Sequence, residues 1–216
     1  MKKTVVAIDG PAAAGKSSVA KEISLRLGYS YVDSGAFYRA ITWWVLHRHA
    51  NPHSVKEVTA VVAQTRLQSG FQNDEAFLRI DGLDPTPHLR DDEVNRAVSP
   101  VSLIPAVRES LTSHLRELAN LRNVVVEGRD IGSIVFPDTP FKFYIDASQQ
   151  VRQQRRSSEG QDDNIAVRDR MDSSRSNAPL RVARDAFLID STHLTVAGVV
   201  DEIIRHLKAR GLSIPA

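Results

Sequence analysis

The chain has 216 residues, 42% of them apolar and 25% charged, with a formal net charge of +2. That balance excludes a disordered or fibrous chain and is too even to argue for a nucleic-acid or membrane surface. No cysteine is present, which excludes disulfides and thiolate metal sites and fits a reducing, cytoplasmic setting.

Apolar residues 5–8 predict a first strand, ended by Asp9. It leads into Gly10, Pro11, Ala12, Ala13, Ala14, Gly15, Lys16 and Ser17, which fit the pattern G-x-x-x-x-G-K-S/T. An amphipathic helix follows, with Val19, Ala20, Ile23 and Leu27 on one face. Strand, small-residue loop and helix N-terminus are the context a phosphate-binding loop requires. Its amides close around phosphate oxygens and the helix dipole adds positive charge. Lys16 then reaches the outer phosphates of a nucleoside triphosphate and Ser17 is placed to hold Mg²⁺, with Ser18 counted in the same nucleotide-binding run.

A second strand over residues 30–32 ends at Asp33, which could hold a metal-bound water or cap the next helix. In Trp43-Trp44 one ring is expected in the core and the other partly exposed. His47, His49 and His53 do not form a metal set on spacing, because the first two cannot share a helix face. Ser54 and Glu57 make a capping box before Val58, Val61 and Val62. Between Arg66 and Leu89 short alternating stretches flank Asn73-Asp74, predicting a small antiparallel unit inserted into an α/β core.

Pro105 opens a helix with Val107, Leu111, Leu115 and Leu118 at helical spacing. Strands are predicted at 123–126, 141–145 and 187–189, followed by the acids Glu127, Asp146 and Asp190. Acids at strand ends should gather at the carboxyl edge of the sheet, although for Asp146 and Asp190 turn or cap chemistry is favoured. Residues 151–184 carry eight arginines, which read equally as a solvated helix surface or as a lid bringing guanidinium groups to phosphates. Thr195 caps a last helix, stopped by Gly211.

Six stretches carry a specific resemblance: AIDGPAAAGKSS, VDSGAFYRA, AVSPVSLIPAVRESL, VVEGRDIGSIVFPD, FYIDAS and RDRMDSSRSNAPL. In that order they resemble the bacterial cytidylate kinases, of the nucleoside monophosphate kinase group of P-loop proteins. The resemblance implies a P-loop α/β fold with a five-stranded parallel sheet, a monophosphate-binding insertion over residues 34–104 and a short lid over 150–170. It also implies phosphoryl transfer from ATP to CMP or dCMP with Mg²⁺. Ser34 and Arg39 match acceptor-site positions, Arg129 faces the acceptor phosphate, and Arg152, Arg155 and Arg156 match lid arginines.

Ser99, Arg108 and Asp130 match the family's base pocket. A carboxylate facing the cytosine amino group and donors facing N3 and O2 are what that base needs. Arg168, Asp172 and Arg175, spaced to share one helical face, match sugar and phosphate contacts. Rival expectations are another small-molecule kinase, for UMP or AMP, and a non-catalytic ATP-dependent switch. A uracil pocket would not want a carboxylate opposite O4. A monomer acting on free nucleotides is expected, without nucleic acid or membrane partners.

Overall fold

The computed structural model describes residues 3–158 and 181–215. Seven strands form one sheet: β1 (Val5–Asp9), β2 (Ser30–Asp33), β3 (Leu67–Gln72), β4 (Glu75–Ile80), β5 (Val124–Gly128), β6 (Phe141–Asp146) and β7 (Phe187–Asp190), in the order β3-β4-β2-β5-β1-β6-β7. The five strands expected from sequence are the parallel block β2-β5-β1-β6-β7.

The two-strand difference from a five-stranded sheet comes from the inserted unit. Asn73 and Asp74 both adopt positive φ, as a two-residue hairpin turn requires, and pair β3 with β4. The Tyr31 amide then donates to the Asp74 carbonyl (2.8 Å) and Tyr31 pairs with Glu75, so the hairpin extends the main sheet.

Alternation along the strands builds two apolar layers. Val6, Ile8 and Val125 pack under α1 (Lys16–Leu27), joined by Val199, Val200, Ile203 and Leu207 of the last helix. Ala7, Val32, Val124 and Val126 face the other way. They meet α2 (Ser34–His47), α3 (Val55–Ala63), α4 (Asp92–Ser102) and α5 (Pro105–Leu121), whose Phe37, Val58, Val101 and Leu111 are buried. Among the described residues two further helices follow, α6 (Gln149–Ser158) and α7 (Val196–Ala209), the latter capped by Thr195 accepting from the Gly198 amide.

Helix α4 contains Pro100 and departs from the sequence pattern, in which a proline argues against a helix interior. The proline falls in the last turn, where the Leu103 and Ile104 amides already bond three residues back. Trp44 is buried and donates through Nε1 to Thr65 Oγ1 (2.8 Å), whereas Trp43 is half-buried and stacks on His47 and His88 at 5.1 and 5.2 Å. Among the described residues no helix is long and apolar enough to cross a membrane.

Candidate active site

The strand order reverses at β1, which has β5 on one side and β6 on the other, so the loops leaving these strands open a crevice at their carboxyl ends. Residues 10–15 occupy it. Gly10 has φ +149°, and a Cβ there would lie 2.0 Å from the Ile145 carbonyl oxygen, so no other residue fits against β6. Gly15 caps α1 in the left-handed conformation. Pro11, Ala12 and Ala14 are buried beneath the loop, Ala13 and Gly15 are partly exposed, and Ser17 and Ser18 of the first helical turn face solvent.

Lys16 is buried, and its Nζ donates to the Pro11 carbonyl across the loop (2.8 Å). Burial first, then the positive charge of Arg129, pull its pKa down to about 8, with Glu127, Asp9 and Asp33 opposing the fall. Ser17 Oγ donates to Glu127 Oε1 (2.6 Å). Glu127, buried at the end of β5, is pushed above the usual carboxylate range by desolvation and by Asp33, its register partner on β2. From sequence it was only one acid among several. The signal that could have marked it is that β1 and β5 both end in an acid before glycine. Asp33 caps α2, accepting from the Ala36 amide (2.9 Å). Asp146 and Asp190 do turn work, accepting from Ala147 and Thr192 amides.

Arginines converge on the same edge. Arg39, in α2, is held below its usual pKa by burial, Asp33 opposing and Arg129 and Arg156 adding to the fall. It has no hydrogen bond or ion pair among the described residues. Arg129, after β5, donates to the Gly10 carbonyl (2.6 Å). Ser34 donates to the Glu127 carbonyl (2.7 Å), fixing the start of α2 on β5.

Arg108 of α5 and Asp130 are both buried and form an ion pair, with Arg108 over the Tyr38 ring. Ser99 lies in the last turn of α4, where its carbonyl accepts from Ser102 Oγ (2.8 Å). The residue contacting Arg108 is Ser102, whose carbonyl lies 3.4 Å from Nη1. The structure thus brings Arg108 and Asp130 together, and Arg108 bonds Ser99's helix at the Ser102 carbonyl.

Arg152 and Arg155 are tied to the loop's flank. Arg152 Nε donates to the Ala147 carbonyl (3.0 Å) and Nη1 lies 3.4 Å from the Ala12 carbonyl. Arg155 grips Ser191 through its carbonyl (2.9 Å) and hydroxyl (3.2 Å), and Ser191 in turn bonds the Ala14 carbonyl (3.1 Å). Arg156 is buried on the same helix. Arg152 and Arg155 therefore sit on α6 beside the loop. Arg168, Asp172, Arg175 and residues 159–170 of the expected lid lie outside the described residues.

A mostly parallel sheet with helices on both faces, a glycine-locked phosphate loop and a buried lysine at its mouth define a P-loop kinase. The crystal structure of TT1252 from Thermus thermophilus shares the fold (TM-score 0.50, 16% identity, 99% of this chain and 100% of that one). The family model described as cytidylate kinase matches residues 6–209. A cytidylate kinase of Caldicellulosiruptor bescii is 39% identical over 94% of this chain and 95% of its own length. A bifunctional pantoate ligase/cytidylate kinase of Synechococcus is 43% identical over 94% of this chain, which spans 40% of that protein. The chain belongs to the cytidylate kinase family and is a nucleoside monophosphate kinase.

Proposed function

We infer that the chain transfers the γ-phosphoryl group of ATP to CMP or dCMP, giving ADP and the cytidine diphosphate, as a cytoplasmic monomer acting on free nucleotides. The observation that carries this reading is the buried Arg108–Asp130 pair one residue from Arg129. Asp130 would accept from the cytosine amino group while Arg108, with Ser99, donates to N3 and O2. Arg39 and Arg129 would clamp the acceptor phosphate, a role that suits planar guanidinium groups. Ser34 would hold the acceptor from the start of α2.

The acceptor phosphate is already an anion, so the chemistry needs alignment and charge stabilisation more than a strong base. Lys16 would leave the Pro11 carbonyl for the ATP phosphates, and residues 10–18 would wrap them. Ser17, Asp33 and Glu127 offer a hard oxygen set that fits Mg²⁺, with Ser17 as direct ligand and Asp33 acting through water. When bound, the ion neutralises charge on the phosphate oxygens. Arg152, Arg155 and Arg156 would present charge to the transferring group from the lid, over 150–170. Arg168, Asp172 and Arg175 would reach sugar and phosphate, and 34–104 would form the acceptor-binding insertion.

ADP release should be followed with ATP, Mg²⁺ and each of CMP, dCMP, UMP, AMP and GMP. Turnover is expected with CMP and dCMP, and Asp130→Ala should raise KM for CMP and narrow its advantage over UMP. Equal turnover of UMP by the unaltered enzyme would sink the base-pocket reading while leaving the kinase intact.

A further inference from the structure

Alternation along β1 sends Asp9 to the face where Ile131 and Val135 pack. Its Oδ1 accepts from the Ile131 amide and its Oδ2 from the Gly132 amide, both at 2.7 Å. These are the first amides of a π-helical turn (Ile131–Val135) whose own cap residue, Asp130, supplies no side-chain cap. Arg116 of α5 holds the other end, donating to the carbonyls of Val135 (3.0 Å) and Ile134 (3.3 Å). Anion at the amide end and cation at the carbonyl end match the polarity of the turn.

The consequence concerns the acceptor pocket. A turn beginning after an aspartate would ordinarily use that aspartate as its cap. Here Asp9 does so from another strand, and the Asp130 carboxylate is directed to Arg108 instead. Arg129, one residue earlier, bonds the Gly10 carbonyl beside Asp9. Three hydrogen bonds therefore join the root of the phosphate loop to residues 129–132. Burial raises the Asp9 carboxyl to about 7, so it is kept there against a desolvation cost, which a residue serving only to end a strand would not need.

We propose that Asp9 is a positioning residue for the acceptor site, capping the 131–135 turn across the sheet so that Asp130 and Arg129 stand at the cytosine base and the acceptor phosphate. This rests on the cytidylate reading above.

Asp9→Asn keeps the shape but turns an amide NH₂ toward one of the two backbone N–H groups, whichever way it is flipped. Kinetics with CMP, UMP and ATP each varied should show KM for CMP rising about tenfold and the CMP-over-UMP preference narrowing, while kcat and KM for ATP move less than about twofold. Equal rises in KM for CMP and ATP, or an unchanged KM for CMP, would overturn the proposal. If Asp9→Asn does not fold, Gly132→Ala tests the same contact. The added methyl would lie 3.3 Å from Asp9 Oδ2 and 3.1 Å from Lys142 Cγ, pressing on the cap with the carboxylate intact. It should raise KM for CMP about threefold with ATP unaffected, and unchanged CMP kinetics there would likewise overturn it. Failure of the unaltered enzyme to use CMP would remove the cytidylate reading and this inference together; normal CMP turnover with insensitive variants would remove only the inference.

Discussion

The donor loop and the hairpin edge of the sheet are held by different means. At the loop, Gly10 is pressed on the Ile145 carbonyl, Arg129 from beyond β5 donates to Gly10, Asp9 accepts from the Ile131 amide, and Arg155 reaches the loop through Ser191. β1 itself pairs with β5 over five residues and with β6 over four. The hairpin pairs with β2 at one position, Tyr31 with Glu75, and two exposed ion pairs tie it to α1 and to the end of α5, Lys21–Glu75 (2.9 Å) and Arg122–Asp74 (2.8 Å). Its attachment comes from apolar side chains, with Leu78 and Ile80 buried in the core. Directional bonds fix a loop that must match phosphate oxygens to a fraction of an ångström. Apolar packing holds the hairpin edge against the core.

Lys16→Ala should give the largest effect, lowering kcat at least about a hundredfold while thermal stability changes little, because a preorganised cation at the transferring phosphate is lost. Near-normal kcat would show that the directional bonding at the loop serves structure alone.

A stability–pH profile sharpens the contrast next. The Asp9 carboxyl is raised in the folded state from 3.8 to about 7, so its contribution to stability is full below about pH 4 and is lost as pH rises through 7. Unfolding free energies of the unaltered chain relative to Asp9→Asn should therefore fall across that window and level off above it. A difference that grows with pH would reverse the assigned cause, making hydrogen bonding to the carboxylate outweigh its burial.

The smallest effects belong to the hairpin. Lys21→Ala and Arg122→Ala should each cost less than about 1 kcal/mol in urea unfolding, since both pairs are exposed. Their double variant should cost about the sum. A loss well beyond that would mean ion pairs, rather than Leu78 and Ile80, hold the edge.

The same division explains what was legible in the sequence. Strands β1, β2, β5, β6 and β7 and the loop between β1 and α1 are written in contiguous periodicity and glycine placement, which local sterics decide. The joining of the hairpin to the sheet depends on where Tyr31 meets Asp74, a tertiary event with no local signature. The site divides likewise. Lys16 and Ser17 follow from spacing, and Arg108 with Asp130 from resemblance, but Glu127 under Ser17 and Asp9 under Gly132 join positions 110 and 123 residues apart. Both acids were visible as strand ends; their partners were not, because only the β1–β5 register sets them face to face.

The stacking of Trp43 between His47 and His88 has a practical side. The chain has two tryptophans, and both lie in α2, the helix that begins with Ser34 and carries Arg39. Its tryptophan emission is therefore a gauge fixed to α2, the helix proposed above to hold the acceptor. Any shift of α2 against the segment bearing His88 alters the ring contacts of one fluorophore, while the donor loop, which contains no aromatic residue, contributes no emission of its own.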